Sequence, residues 1–136
     1  SILVMSRNKM FLNGEPGNEV IHFRYNSKMD CVFLKRITYF ESDRSYSNIY
    51  LSGNKGKPKK ICKTLKYIEG YLKDKGFIRC HRFYLININC VRYFCSKSKS
   101  IYILGSEIEV SRRASTGVFN ILLENGIKDI NKAIAG

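Results

Sequence analysis

A chain of 136 residues and 15.7 kDa holds one domain, or one domain with a small extension. Its 24 Lys and Arg stand against 11 Asp and Glu, a net charge of +13. That is more than solubility needs and calls for a polyanionic partner: DNA, RNA or an anionic membrane surface. A hydrophobic share of 44% excludes wholesale disorder, and no apolar run approaches a membrane span.

The cysteines are Cys31, Cys62, Cys80, Cys90 and Cys95, an odd count with no C-x-x-C pair. Beside apolar and aromatic neighbours they read as reduced thiols in a cytoplasmic protein. Cys80, His81, Cys90 and Cys95 match no common zinc spacing, so neither metal nor cofactor is expected. Ser1-Ile2-Leu3-Val4-Met5 is too short for a signal-peptide core. The Ser1 start fits an excised or processed chain.

In chain order, Ile2 to Met5 reads as a short strand or linker, and Asn13-Gly14-Glu15-Pro16-Gly17-Asn18 as a turn. Residues 19–25 alternate Val20, His22 and Arg24 against Ile21, Phe23 and Tyr25, which predicts a strand with one apolar face. Asn26-Ser27-Lys28 turns the chain. Cys31–Leu34 and Ile37–Phe40 are further strand-like runs, broken by Lys35-Arg36. Glu41–Ser47 reads as a loop and Asn48–Leu51 as a strand. Ser52–Lys60 reads as a lysine-rich hairpin tip, weakened for pairing by Pro58. Thr64 caps the clearest helix, with Leu65, Ile68 and Leu72 on one stripe and Gly76 as its left-handed stop. Gly70 inside it costs roughly 1 kcal/mol against Ala.

Phe77–Phe94 supplies two strands, followed by the basic turn Ser96–Ser100. Ile101–Leu104 and Glu107–Val110 flank Gly105-Ser106, the signature of a type II′ hairpin closed by Ser111-Arg112-Arg113. A helix capped by Ser115 or Thr116 runs to about Glu124 and stops at Asn125-Gly126. Ile127, Ile130 and Ile134 suggest one more short helix. The fold class is therefore mainly β: eight to ten short strands, antiparallel because tight loops join neighbours, with two or three short helices. Basic residues gather beside apolar runs, Arg79, His81 and Arg82 before Tyr84–Asn87 and Arg112-Arg113 after Glu107–Val110. Such a scaffold presents basic tips to nucleic acid.

The order of these segments resembles the LytTR family, the DNA-binding output domain of bacterial response regulators. Ile37-Thr38-Tyr39-Phe40-Glu41-Ser42 is similar to its I-x-y-[IF]-E strand, and Thr64–Leu72 to its s-L-x-x-L-e-x-x-L helix. Phe77-Ile78-Arg79-Cys80-His81-Arg82 is similar to F-x-R-x-H-[RK], Tyr84–Asn87 to y-l-V-N, and Ile108–Arg113 to i-p-V-S-R-r. The resemblance spans about residues 19–123 and departs from the family at Phe83, where Ser is usual. It sets a LytTR-like domain over 19–125, between an N-terminal linker or strand at 1–18 and a C-terminal helical extension at 126–136.

The resemblance implies an elongated β fold whose loops enter successive major grooves and bend the duplex, bound at paired direct repeats. Its implied partners are promoter DNA, a second copy on the adjacent repeat, RNA polymerase, and an N-terminal receiver domain with its sensor kinase. Its implied setting is two-component regulation of the quorum-sensing and virulence kind. Carried over position by position, it gives Arg44, Ser47 and Asn48 as the first contact loop, Arg82 as the second contact and Arg113 as the third. Arg112, Arg79 and His81 flank them. Arg79 and His81, two apart on a strand, are expected on one face, each with a purely structural alternative. Asn87 reads as a turn or sheet-edge hydrogen-bonder. Lys55, Lys57, Lys59, Lys60, Lys97 and Lys99 serve diffuse phosphate attraction. An RNA-binding β module, a nuclease and a protein-interaction module are the rivals, and the scattered carboxylates argue against the second.

Overall fold

The computed structural model describes residues 10–25, 27–53 and 57–131; Ile2–Met5, Lys55 and Ile134 lie outside them. Among the described residues eleven strands form three antiparallel sheets. The first joins β1 (Phe11–Asn13), β2 (Val20–Tyr25) and β3 (Lys28–Phe33). The second, in the order β6-β5-β4-β8-β7, joins β4 (Ile37–Asp43), β5 (Tyr46–Leu51), β6 (Lys59–Ile61), β7 (Phe77–His81) and β8 (Tyr84–Asn87). The third joins β9 (Val91–Cys95), β10 (Ser100–Ile103) and β11 (Ser106–Glu109). Two longer helices lie within the described residues, α1 (Leu65–Tyr71) and α2 (Arg112–Glu124).

The alternation in residues 20–24 does what it promised: Ile21 and Phe23 face inward at 0% and 1% exposure. The Asn13–Asn18 turn closes with Asn18 N–H donating to Glu15 O. Gly14 sits at φ +102°, where a Cβ would meet Asn18 O at 2.7 Å, so only glycine fits.

The five-stranded sheet is buried on both faces, and neighbouring side chains go to opposite cores. Phe40, Ile49 and Leu85 join Ile21, Phe23, Leu34, Ile68 and Leu72 between the first sheet, α1 and the central sheet. Tyr39 and Ile86 join Cys80, Phe94, Ile101, Ile108, Val118 and Leu122 between the central sheet, the third sheet and α2. Ile37 and Tyr39, same parity, fall in different cores because the β4–β5 register shifts between them. Asn87, at 3% exposure, donates to Ile37 O at 2.9 Å and accepts from Asn89 N–H at 3.0 Å. It ties β8 to the start of β4 and caps the 3-10 turn Ile88–Cys90.

Several expectations need correction. Glu41–Ser47 is not a loop: β4 and β5 continue to a two-residue tip at Arg44-Ser45, which Arg44 turns at φ +60°. Lys59 and Lys60 lie in strand β6, not in a hairpin tip, because Ile61 at 2% exposure anchors that segment to the first core. Phe77–Phe94 holds three strands rather than two. The β10–β11 loop is Leu104-Gly105 with the left-handed residue second, so it is not the II′ turn. Helix α1 is capped by Thr64 Oγ1 accepting from Tyr67 N–H, as expected, but ends at Tyr71, and Gly76 turns the chain into β7 instead.

Helix α2 starts earlier than its periodicity suggests. Ser111 is the cap, its Oγ accepting from Ala114 N–H at 3.3 Å, while Ser115 is buried and donates back to Arg112 O. The helix stops at Asn125-Gly126, with Gly126 at φ +78°. Beyond it residues 127–129 are not helical, and the expected further helix begins only at Ile130–Asn131. Asp129 instead pairs with β9, bridging Phe94 and accepting from Ser96 N–H.

Candidate nucleic-acid interface

Strand pairing carries the basic segments to one end of the scaffold. Glu41 pairs with Tyr84, so β8 begins where β4 is ending. The β7–β8 tip, Arg82-Phe83, therefore lies beside the β4–β5 tip, and Ser42 N–H donates to Phe83 O at 2.8 Å. Ser111 N–H donates to Cys80 O at 3.0 Å, which sets the N-terminus of α2 against the end of β7. Val110 N–H donates to Lys99 O, drawing the β9–β10 turn to the same place. Arg44, Arg82, Arg112 and Arg113 are all exposed there, with Lys97 exposed and Lys99 half-buried beside them. Arg82 and Arg113 line one shallow cleft together with Arg79, His81, Ser111 and Ala114.

Arg112 and Arg113 sit in the first turn of α2, which holds no acidic residue. Cations at a helix N-terminus oppose the macrodipole. The end of α2 therefore gathers positive charge from side chains and free backbone N–H groups alike, a combination that favours an anion. Arg113 is thus a helical residue rather than a loop residue, and its direction is set by the helix.

Arg79 does other work. Its Nη1 pairs with Glu69 of α1 at 2.8 Å, its Nε donates to His81 O at 2.9 Å, and its Nη2 to Arg82 O at 2.6 Å. These contacts, the structural alternative, make Arg79 a brace for the β7–β8 tip. His81 is also engaged: Nδ1 accepts from Phe83 N–H at 3.1 Å, which places the ring proton on Nε2, 3.6 Å from Glu109. Arg79 and His81 do not share a face, because the β7–β8 register shifts between them. Arg79 reaches α1, and His81 packs on Tyr84 and faces β11. Arg79→Ala should loosen the tip while Arg82 stays in the sequence. The expected outcome is faster amide exchange at residues 82–84 and weaker DNA binding; unchanged exchange there would show that the brace is idle.

Ser47 is a plain correction. It is fully buried, its Oγ donating to Lys63 O at 2.8 Å to fasten β5 to the start of α1. Its neighbour Tyr46 is 43% exposed at the tip instead, with Lys60 Nζ 5.7 Å over its ring. Alternation on β5 fixes this: an inward Ser47 puts Tyr46 outward. Asn48 is half-buried and donates to Glu41 Oε1 at 3.3 Å. Glu41 also accepts from Tyr50 OH at 3.0 Å; burial first, then this carboxylate, push the Tyr50 phenol above its ordinary range.

The lysines divide. Lys57 is exposed, Lys55 is outside the described residues, Lys59 is ion-paired with Asp30, and Lys60 pairs with Asp43 at 2.8 Å. That pair holds the Asp43 carboxyl below the usual range, Lys60 being the first cause. Burial drives the Cys80 thiol up to about 12, which leaves it unreactive as a nucleophile. Among the described residues no group of three or more His, Cys, Asp or Glu is placed to hold a metal ion. None of their helices is long and apolar enough to cross a membrane.

Cationic hairpin tips and a cationic helix start, side by side on a rigid β framework, define a nucleic-acid-binding class of domain. The LytTr DNA-binding domain model matches residues 27–123, and the chain belongs to that family. Comparison with curated proteins found no match. The fold is shared with a solved structure, the LytTr DNA-binding domain of a putative methyl-accepting/DNA response regulator from Bacillus cereus. The TM-score is 0.60 at 19% identity, covering 76% of this chain and 95% of that one.

Proposed function

We propose that this domain binds double-stranded DNA sequence-specifically, in the cytoplasm, as the output module of a transcriptional regulator of the response-regulator kind. Basic side chains at the tip end neutralise phosphates and release counterions, while a few read base edges. Arg82 and Arg113 are the base readers; Arg44, Arg112, Lys97 and Lys99 attract the backbone, and Lys57 adds to the general field. The observation that carries this reading is the gathering of Arg44, Arg82 and Arg113 at one end by strand register and the Ser111–Cys80 hydrogen bond.

The tips and the start of α2 enter major grooves of one duplex, and bending it costs about 1–6 kcal/mol, offset by the added contacts. Two copies on adjacent direct repeats add avidity. A receiver domain ahead of this one, its sensor kinase and RNA polymerase complete the proposed circuit, of which quorum sensing and virulence control are the family's usual examples.

Selection from a random duplex pool tests the reading, since it yields sequence, repeat spacing and stoichiometry together. On the selected duplex, log affinity should fall linearly with log salt, at about −0.9 per neutralised phosphate. With the six cations named at the tip end, raising salt from about 50 to 200 mM should cost on the order of a thousandfold. Indifference to salt, or preference for single-stranded RNA over every duplex, would refute it.

A further inference from the structure

Phe83 is the residue at the tip end that neither charge nor packing explains. It is 42% exposed, on the two-residue turn between β7 and β8. A phenyl ring left largely in water beside a guanidinium gains little for the isolated fold. Yet its backbone is held from every side. Its N–H donates to His81 Nδ1, its carbonyl accepts from Ser42 N–H, and Arg79 grips the carbonyls on either side of the turn's start, His81 O and Arg82 O. The ring lies 4.6 Å from the Arg82 guanidinium carbon and 5.4 Å from the His81 ring. The tip thus presents a fixed pair, one cationic plane stacked on one apolar ring.

Resting on the reading of this end as the DNA interface, we infer that Phe83 is a specificity-determining residue that packs against the 5-methyl group of a thymine. That thymine adjoins the guanine taken by Arg82 in the major groove. Guanine offers O6 and N7 to a guanidinium, and thymine is the base whose methyl projects into that groove for an apolar contact. The alternative, a wedge inserted between two base pairs, needs both ring faces free. The guanidinium covers one face of Phe83, so the free edge is what reaches the DNA. The same stacking aims Arg82, so one rigid turn reads two neighbouring bases.

The test uses the full chain and a duplex selected from a random pool, with each thymine replaced singly by deoxyuridine, which lacks only the methyl group. Wild type should lose about fourfold in affinity at one thymine of each half-site, the value of one buried methyl. Phe83→Ala should lose at least as much on the parent duplex and should be blind to deoxyuridine at that position alone. Phe83→Leu, still apolar, should keep part of the sensitivity. Identical deoxyuridine profiles for wild type and Phe83→Ala would overturn the inference. So would a Phe83→Ala loss equal on every duplex, the mark of a wedge. Failure to select any duplex would instead refute DNA reading itself, so the two ideas fail separately.

Discussion

Alanine at Arg82 or at Arg113 should weaken binding to the selected duplex by about 5- to 150-fold each, and random DNA by much less. A bidentate guanine contact carries roughly 1–3 kcal/mol of discrimination, whereas a phosphate contact is indifferent to sequence. Both side chains are exposed and both stand on fixed supports. Arg82 rides on a turn whose carbonyls Arg79 holds, and Arg113 on a helix whose start is hydrogen-bonded to β7. They also line one cleft, so the double variant should depart from additivity, as expected for neighbours on a shared ligand. Titrations of wild type, both single variants and the double variant on both duplexes decide the matter. Equal losses on selected and random DNA would demote the pair to phosphate contacts.

The largest effect on stability should come from Phe94→Ala, a loss of about 3–5 kcal/mol. Phe94 is 1% exposed, its ring stacked on Phe119 at 4.8 Å, and its N–H donates to Lys128 O. It joins the third sheet, α2 and the segment beyond α2 in one core. Truncation leaves a cavity walled by elements that cannot all close on it. Because a typical domain has only about 5–15 kcal/mol of stability, the variant should melt early in urea. It should release DNA in the same transition, since the start of α2 belongs to that layer. A loss below about 1 kcal/mol would mean that Phe94 does not hold these three elements together. Phe83→Ala, by contrast, should leave the urea midpoint where it is, its ring being exposed.

Much of the architecture was legible because its signals are local. The alternation of Ile21 and Phe23, the stripe of Leu65, Ile68 and Leu72 and the Thr64 cap each reside within a few residues, and each appears as read. The charge of +13 and the segments from Ile37 to Arg113 likewise point to a DNA-binding family from the sequence alone. The start of helix α2 is not legible in the sequence because Arg112 and Arg113 oppose the dipole there, a local conflict of the sort found where a site takes precedence over the element. The exposure of Tyr46 is hidden in the sequence because Glu41–Ser47 is polar enough for a loop; only pairing with β4 fixes which residue of the tip turns outward.

The sequence by itself determined the class of fold, the identity of the cations and the segments that carry them, since composition, periodicity and caps are properties of short stretches. Tertiary structure alone decided how each cation is used. Register shifts at Ile37/Tyr39 and Arg79/His81 reverse the parity of faces, and no single strand records its partner's register. That is why Arg79 became a brace, while pairing with β4 carries β5 back past Asn48 and turns Ser47 inward with Ile49, and the β4–β8 pairing and the Ser111–Cys80 hydrogen bond bring Arg44, Arg82 and Arg113 to one end of the molecule.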